Sequence, residues 1–238
     1  MIRSHNDSVD VRKAPVAVAL DAPNLETAAR WAQSVTPYVS VLKIGLELFC
    51  RYGPEVAEVV RGGSGAGLFL DLKLHDIPAT VAGAARSVAR LRPDYLTVHA
   101  AGGPAMIRAA VEALPRTRVA GVTVLTSLGA EELAAVGLVG PPADAVRRLA
   151  VLSVDAGARA LVCSPQEVAA VRAEVGRDVT LITPGVRATV LDSDDQMRVA
   201  TPEAALAAGA DLLVIGRPIT GAPDPGSAAA MLAARLRG

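Results

Sequence analysis

Gly67-Leu-Phe-Leu-Asp-Leu-Lys-Leu-His-Asp-Ile-Pro-Ala-Thr80 begins as an apolar run and then sets two aspartates, a lysine and a histidine within the six residues from Asp71 to Asp76. A chain entering a core carries that much charge only when the charges meet one another or a ligand. Side chains alternate along a strand, so Asp71 and Lys73 project to one side while Leu72 and Leu74 take the other. The strand therefore leaves the core with a carboxylate and an ammonium side by side.

Outward from this stretch, short apolar runs alternate with segments of helical periodicity along the whole chain, without a linker or a shift in composition. Strands are predicted at Val16 to Leu20, Val39 to Ile44, Leu68 to Leu72, Tyr95 to His99, Val119 to Leu125, Ala160 to Cys163, Thr180 to Ile182 and Leu212 to Ile215. Helices are predicted between them, among others at Leu25 to Ser34, Pro54 to Arg61, Val81 to Leu91, Ala143 to Ala156, Gln166 to Val175 and Ser227 to Arg237. Eight strands, each followed by a helix, predict an α/β fold: a single-domain (β/α)8 TIM barrel over residues 14–238. The polar residues 1–13 lack the apolar middle of a signal peptide and are read as a flexible tail. A doubly wound open sheet is the alternative, but Asp21-Ala-Pro-Asn24 stands where a glycine-rich dinucleotide turn would follow the first strand.

The composition narrows the function classes. Lys and Arg number 24, Asp and Glu number 24, and only 3% of residues are aromatic, so neither a wide-area field nor a stacking platform for nucleic acid is expected. The longest stretch free of Asp, Glu, Lys and Arg, Tyr95 to Ile107, is too short to span a bilayer, and no membrane partner is expected. A cytoplasmic location follows as the expectation. Cys50 and Cys163 lie far apart in apolar sequence without metal-ligand spacing, and read as two buried free thiols.

In a barrel of this type the catalytic groups stand at the carboxyl ends of the strands. There the sequence places Asp21, Lys43, Asp71 with Lys73, His99, Thr126-Ser127 and Gly216-Arg217. Lys43 on the second strand reaches toward the third, giving an expected line of alternating charge through Lys43, Asp71, Lys73 and Asp76. Structural ion pairs rimming the barrel are one competing reading. A divalent-metal site drawn from Asp71, Asp76, His75 or His99 is another, although two lysines inside the cluster would repel the cation. His75 and His99 are given packing or hydrogen-bonding roles rather than catalytic ones.

The last two strands complete the site. Thr183-Pro-Gly-Val-Arg187 follows strand seven, the polar loop from Ala188 to Arg198 comes next, and Val214-Ile-Gly-Arg-Pro218 closes strand eight. Loops after strands seven and eight of such barrels often bind phosphate, with backbone amides and a charge-assisted arginine fork, here Gly216 and Arg217.

The run DLKLHDIPAT resembles the Asp-x-Lys-x-x-Asp-Ile-Pro-x-Thr signature of the orotidine 5′-phosphate decarboxylase family. TVLTS, VCSPQE, TPGVR, DDQMR and VIGRPIT resemble later blocks of its bacterial members in order and spacing, from about Pro15 to nearly the end of the chain. The residue before Thr80, commonly Asn in close relatives, is Ala79 here. The resemblance implies decarboxylation of orotidine 5′-monophosphate to UMP in pyrimidine biosynthesis, with no metal or organic cofactor. It implies Lys73 as the catalytic ammonium, in a network with Asp71, Lys43 and Asp76. Asp21 and Lys43 would hold ribose hydroxyls and Thr126 would lie by the pyrimidine. Pro184 would belong to the substrate site, and Gln196, Gly216 and Arg217, with Arg187 nearby, would take the phosphate. Asp76, Ile77 and Thr80 would reach into the partner subunit of an obligate homodimer. A magnesium-dependent sugar-phosphate enzyme of the same superfamily shares the Asp-x-Lys-x-x-Asp core, and a catalytically dead sugar-phosphate binding module is the alternative from another class.

Overall fold

Each apolar run becomes a strand because one of its faces fills the centre of the molecule while the other meets a layer of helices. The computed structural model describes residues 13–62, 65–138, 140–187 and 200–237. The strands are β1 (Ala14–Ala19), β2 (Val39–Gly45), β3 (Gly67–Leu74), β4 (Tyr95–His99), β5 (Arg118–Val122), β6 (Ala160–Val162), β7 (Thr180–Thr183) and β8 (Leu212–Ile215). All pair in parallel with their sequence neighbours, and β8 returns to β1 to close the barrel. The helices are α1 (Leu25–Val35), α2 (Leu46–Tyr52), α3 (Glu55–Arg61), α4 (Pro78–Val88), α5 (Gly103–Ala113), α6 (Ala130–Ala135), α7 (Pro142–Asp155), α8 (Val168–Val175), α9 (Pro202–Ala207), α10 (Arg217–Thr220) and α11 (Pro225–Arg235). The expected (β/α)8 barrel is the observed one. The tail, residues 1–12, lies outside the described residues.

Two apolar layers hold the barrel. Inside, Ala17, Val41, Phe69, Tyr95 and Ala120 form a plug together with Ile182 and Leu212.

 Ala160 completes this inner layer, so every strand contributes one side chain to it. Phe69 and Tyr95 meet edge to face, with ring centroids 5.7 Å apart. Outside, strand residues such as Val16, Leu42, Leu68, Leu96 and Leu161 pack against Ala28, Ala32, Val56, Ala85 and Val146 of the surrounding helices, and Trp31 packs against this layer as helix packing. The plug of the inner layer forms the floor on which the polar ends of the strands stand.

Several boundaries differ from the sequence reading for local reasons. The apolar run at Val119 to Leu125 is strand only to Val122; Val124 and Leu125 leave the sheet and line a cavity. Helix α4 starts at Pro78 rather than Val81, because proline fits the first helical turn, where no N–H partner is required. Cys50 is exposed, contrary to the expectation of two buried thiols: on α2 it is Leu48 that turns inward, and Cys50, two residues on, faces away. Cys163 is buried, and burial, reinforced by Glu167 and opposed by Arg172, pushes its thiol up to about 12. Among the described residues, no helix is long and apolar enough to cross a membrane.

One irregularity positions the site. Leu70 pairs with Leu96 and Leu74 pairs with Val98, so β3 spends four steps where β4 takes two. The excess is absorbed at Lys73, whose φ of 46° lies in the left-handed region that a side chain with a Cβ adopts at a cost of about 1–3 kcal/mol.

Candidate active site

The bulge in β3 turns Asp71 and Lys73 toward the mouth of the barrel. Lys73 Nζ donates to Asp71 Oδ1 at 2.9 Å. On the other side of the same carboxylate, Lys43 Nζ stands 3.4 Å from Oδ2, and beyond it Asp21 Oδ1 lies 3.9 Å from Lys43 Nζ. Four charges thus alternate in sign along Asp21, Lys43, Asp71 and Lys73, and they sum to zero. At such separations and an effective dielectric near 20, each opposite-charge contact is worth roughly 4 kcal/mol before desolvation is subtracted. The Lys43 side chain is only 8% exposed, so its two carboxylate neighbours are what make its burial tolerable.

Burial by itself would raise the Asp71 carboxyl, but Lys43, Lys73 and the hydrogen bonds from Lys73 and Thr97 outweigh it and hold the group below the usual carboxylate range. His99, at the end of β4, is pushed down by burial and by the nearby His75 and Lys73, against the opposing pull of Asp71. Its ring lies 5.4 Å from that of His75. A lowered imidazole is neutral at neutral pH and adds no second cation beside Lys73.

Of the residues singled out by sequence, Asp21, Lys43, Asp71, Lys73, Thr126, Pro184, Arg187, Gly216 and Arg217 all line one cavity of about 550 Å³. That volume suits a ligand of nucleotide size. Arg187 follows β7, across the barrel from β3, and Arg217 follows β8, which neighbours β1, so the two arginines rim the cavity from adjacent strands while the charged network rims it from β1 to β3. The floor and walls between them are apolar, from Phe69, Val122, Val162 and Val214.

The expected line of charge needs one correction. Within the chain Asp76 takes no part in it among the described residues, and Asp21 occupies the far end instead. The backbone leaves β3 at Leu74, and Asp76 turns its Oδ1 back to accept the Ile77 N–H at 2.6 Å, at the entry to α4. Asp76, Ile77 and Thr80 are exposed. Gln196 and the loop from 188 to 198 lie outside the described residues.

Two site residues escaped the sequence reading. A Cβ on Gly45 would stand 3.1 Å from both Asp21 Oδ1 and Lys43 Nζ, so glycine there leaves room for that ion pair. Thr97, fully buried on β4, accepts the Lys73 N–H at 2.8 Å and donates to Asp71 Oδ1 at 3.0 Å. The sequence offered only a threonine two positions beyond Tyr95, on the same inward-facing side of the strand.

Known proteins share this arrangement of sequence and fold. The chain is 74% identical over 224 residues to the orotidine 5′-phosphate decarboxylase of Thermobifida fusca, covering 94% of this chain and 96% of that one. It is 62% identical over 241 residues to the protein of the same name from Frankia casuarinae, covering 94% and 88% of the two chains. The crystal structure of orotidine 5′-phosphate decarboxylase from Lactobacillus acidophilus superposes with a TM-score of 0.82 at 33% identity, over 94% of this chain and 99% of the other. Residues 14–232, which carry every strand and the whole charged cavity, match the model of the Orotidine 5'-phosphate decarboxylase / HUMPS family, and the chain belongs to that family.

Proposed function

We propose that this chain converts orotidine 5′-monophosphate to UMP and CO2, with the Lys73 ammonium as electrostatic stabiliser and proton donor. The observation that carries the reading is the Lys43–Asp71–Lys73 line at the cavity wall, facing Arg187 and Arg217 across apolar residues. Breaking the C6–carboxylate bond leaves an electron pair in an in-plane orbital of the pyrimidine, which the ring carbonyls do not delocalise. Fixed charge must stabilise it, and an ammonium in a water-poor pocket supplies that field before the reaction begins. The same ammonium then hands one proton to C6, leaving a neutral amine that solvent reprotonates. In this reading Asp71 orients Lys73, Asp21 and Lys43 hold the ribose hydroxyls, and Thr126 lies by the pyrimidine. Pro184, Arg187, Gly216 and Arg217 take the phosphate side, and Gln196 joins them by its place in the sequence.

The active unit is a homodimer in this proposal, with Asp76, Ile77 and Thr80 completing the partner's site. Support comes from their exposure in the single chain: Ile77 is 66% exposed, an uncovered aliphatic side chain a few residues from the catalytic lysine. A second carboxylate, from the partner, would clamp Lys73 from the side that Asp71 leaves open.

Two measurements test the reading. Purified protein treated with EDTA is expected to turn over orotidylate at its full rate, followed by the fall in substrate absorbance; loss of activity on chelation would point instead to the magnesium-dependent chemistry of the superfamily. Heterodimers carrying Lys73→Ala in one chain and Asp76→Asn in the other should recover about half of the wild-type rate, since one of their two sites is intact while both parental homodimers are nearly inactive. Heterodimers as inactive as their parents, or fully active monomers, would rule out the shared site.

A further inference from the structure

We infer that Thr97 is a positioning residue for the decarboxylation: its buried hydroxyl ties the backbone of Lys73 to the carboxylate of Asp71 and so sets the direction in which the ammonium points. The inference rests on the proposed roles of Lys73 and Asp71. Thr97 itself is fully buried behind that carboxylate and does not line the cavity, so it acts through its neighbours and not on substrate.

A hydroxyl has one proton to give and lone pairs to receive. Here the proton goes to Asp71 Oδ1 at 3.0 Å, and the oxygen receives the Lys73 N–H at 2.8 Å. That N–H needs a partner because the bulge has taken it out of the β3–β4 ladder between Leu70 and Leu74. The left-handed conformation of Lys73, φ 46°, persists only where its surroundings hold it, and the Thr97 hydroxyl is the partner of its amide. Asp71 Oδ1 then receives both the Lys73 ammonium and the Thr97 hydroxyl, which leaves Oδ2 for Lys43. One side-chain oxygen thereby fixes both ends of the Asp71–Lys73 pair: the backbone from which the lysine springs and the carboxylate on which it rests.

Valine matches threonine in shape but lacks the hydroxyl, while serine keeps the hydroxyl and loses the methyl. Thr97→Val is expected to lower kcat on orotidylate by about 10- to 100-fold, the scale of a small misplacement of a reacting group. KM and the affinity for UMP should stay within about threefold, because ground-state contacts are untouched. Thr97→Ser should return kcat to within about threefold of wild type. If the valine variant does not fold, Thr97→Ala replaces it in the comparison with serine. A wild-type kcat without the hydroxyl would overturn the inference, as would equal losses in the valine and serine variants, or a parallel loss of UMP affinity. Lys73→Ala is run alongside: were that variant fully active, the proposed role of Lys73 would fall, whereas an inactive Lys73→Ala beside an unimpaired Thr97→Val would defeat only the role given to Thr97.

Discussion

Lys73→Ala is expected to lower kcat on orotidylate by at least about 10⁴-fold, since on the proposed reading it removes both a preorganised charge and a proton donor, and each alone is commonly worth about 10²- to 10³-fold or more. The fold should survive. Asp71 keeps Lys43 at 3.4 Å and the Thr97 hydroxyl at 3.0 Å, so no buried carboxylate is left without a partner. The backbone N–H at position 73 still has Thr97 to receive it. UMP binding is therefore expected to stay close to wild type, and measuring it beside kcat separates lost chemistry from lost structure. A variant that retains more than about a hundredth of the wild-type kcat would be incompatible with an electrostatic role of this size.

The same substitution should change acid stability in a known direction. The folded Asp71 carboxyl lies below its ordinary value of 3.8, held there against burial chiefly by Lys43 and then by Lys73 and Thr97. A depressed carboxyl contributes stability that is complete above the unfolded value and is lost as pH falls through the folded one. Removing Lys73 weakens the depression, so the contribution shrinks and its loss on acidification sets in at a higher pH. Near neutral pH the direct effect on folding is smaller than the effect on catalysis, because Lys73 is 30% exposed and its attraction to Asp71 is screened by solvent.

The barrel was legible because its signal is distributed: eight apolar runs at helix-sized intervals, most of them ending in polar residues on one side of the molecule. Alternation along β3 put Asp71 and Lys73 together, and strand adjacency brought Lys43 to them. Alternation says nothing of a bulge, however, so neither the left-handed Lys73 nor the threonine that receives its amide could be read from the pattern. Gly45 was hidden for a related reason: its requirement arises from two side chains on β2 and after β1 meeting above it in space. Asp76 was placed in the in-chain line by its nearness in sequence to Lys73, but the turn after Leu74 carries it away, and only the family signature suggested a role across a dimer. Cys50 shows the limit of local apolarity, since Phe49 beside it says nothing about which face of α2 is covered.

Arg217→Ala carries the second large expected effect. On the proposed reading its guanidinium makes a charge-assisted contact with the substrate phosphate, far from the bond that breaks. Its removal should lower kcat/KM on orotidylate by about 10²-fold or more, given that such contacts are roughly twice as strong as neutral hydrogen bonds and are made in a partly dry site. The informative comparison uses phosphate-free orotidine. Wild type and Arg217→Ala should then be equally slow, because the arginine has nothing left to grip, and the two losses should not add. Wild type should lose more on removal of the phosphate than on removal of Arg217, since Arg187 and the Gly216 backbone also line that end of the cavity. Undiminished kcat/KM for Arg217→Ala on orotidylate, or equal rates of wild type on orotidine and orotidylate, would remove the phosphate from this end of the barrel. The split between constants carries the final distinction. A rise in KM alone means that the phosphate only anchors the substrate, whereas a fall in kcat as well means that binding at β7 and β8 helps to hold C6 against the lysine across the barrel.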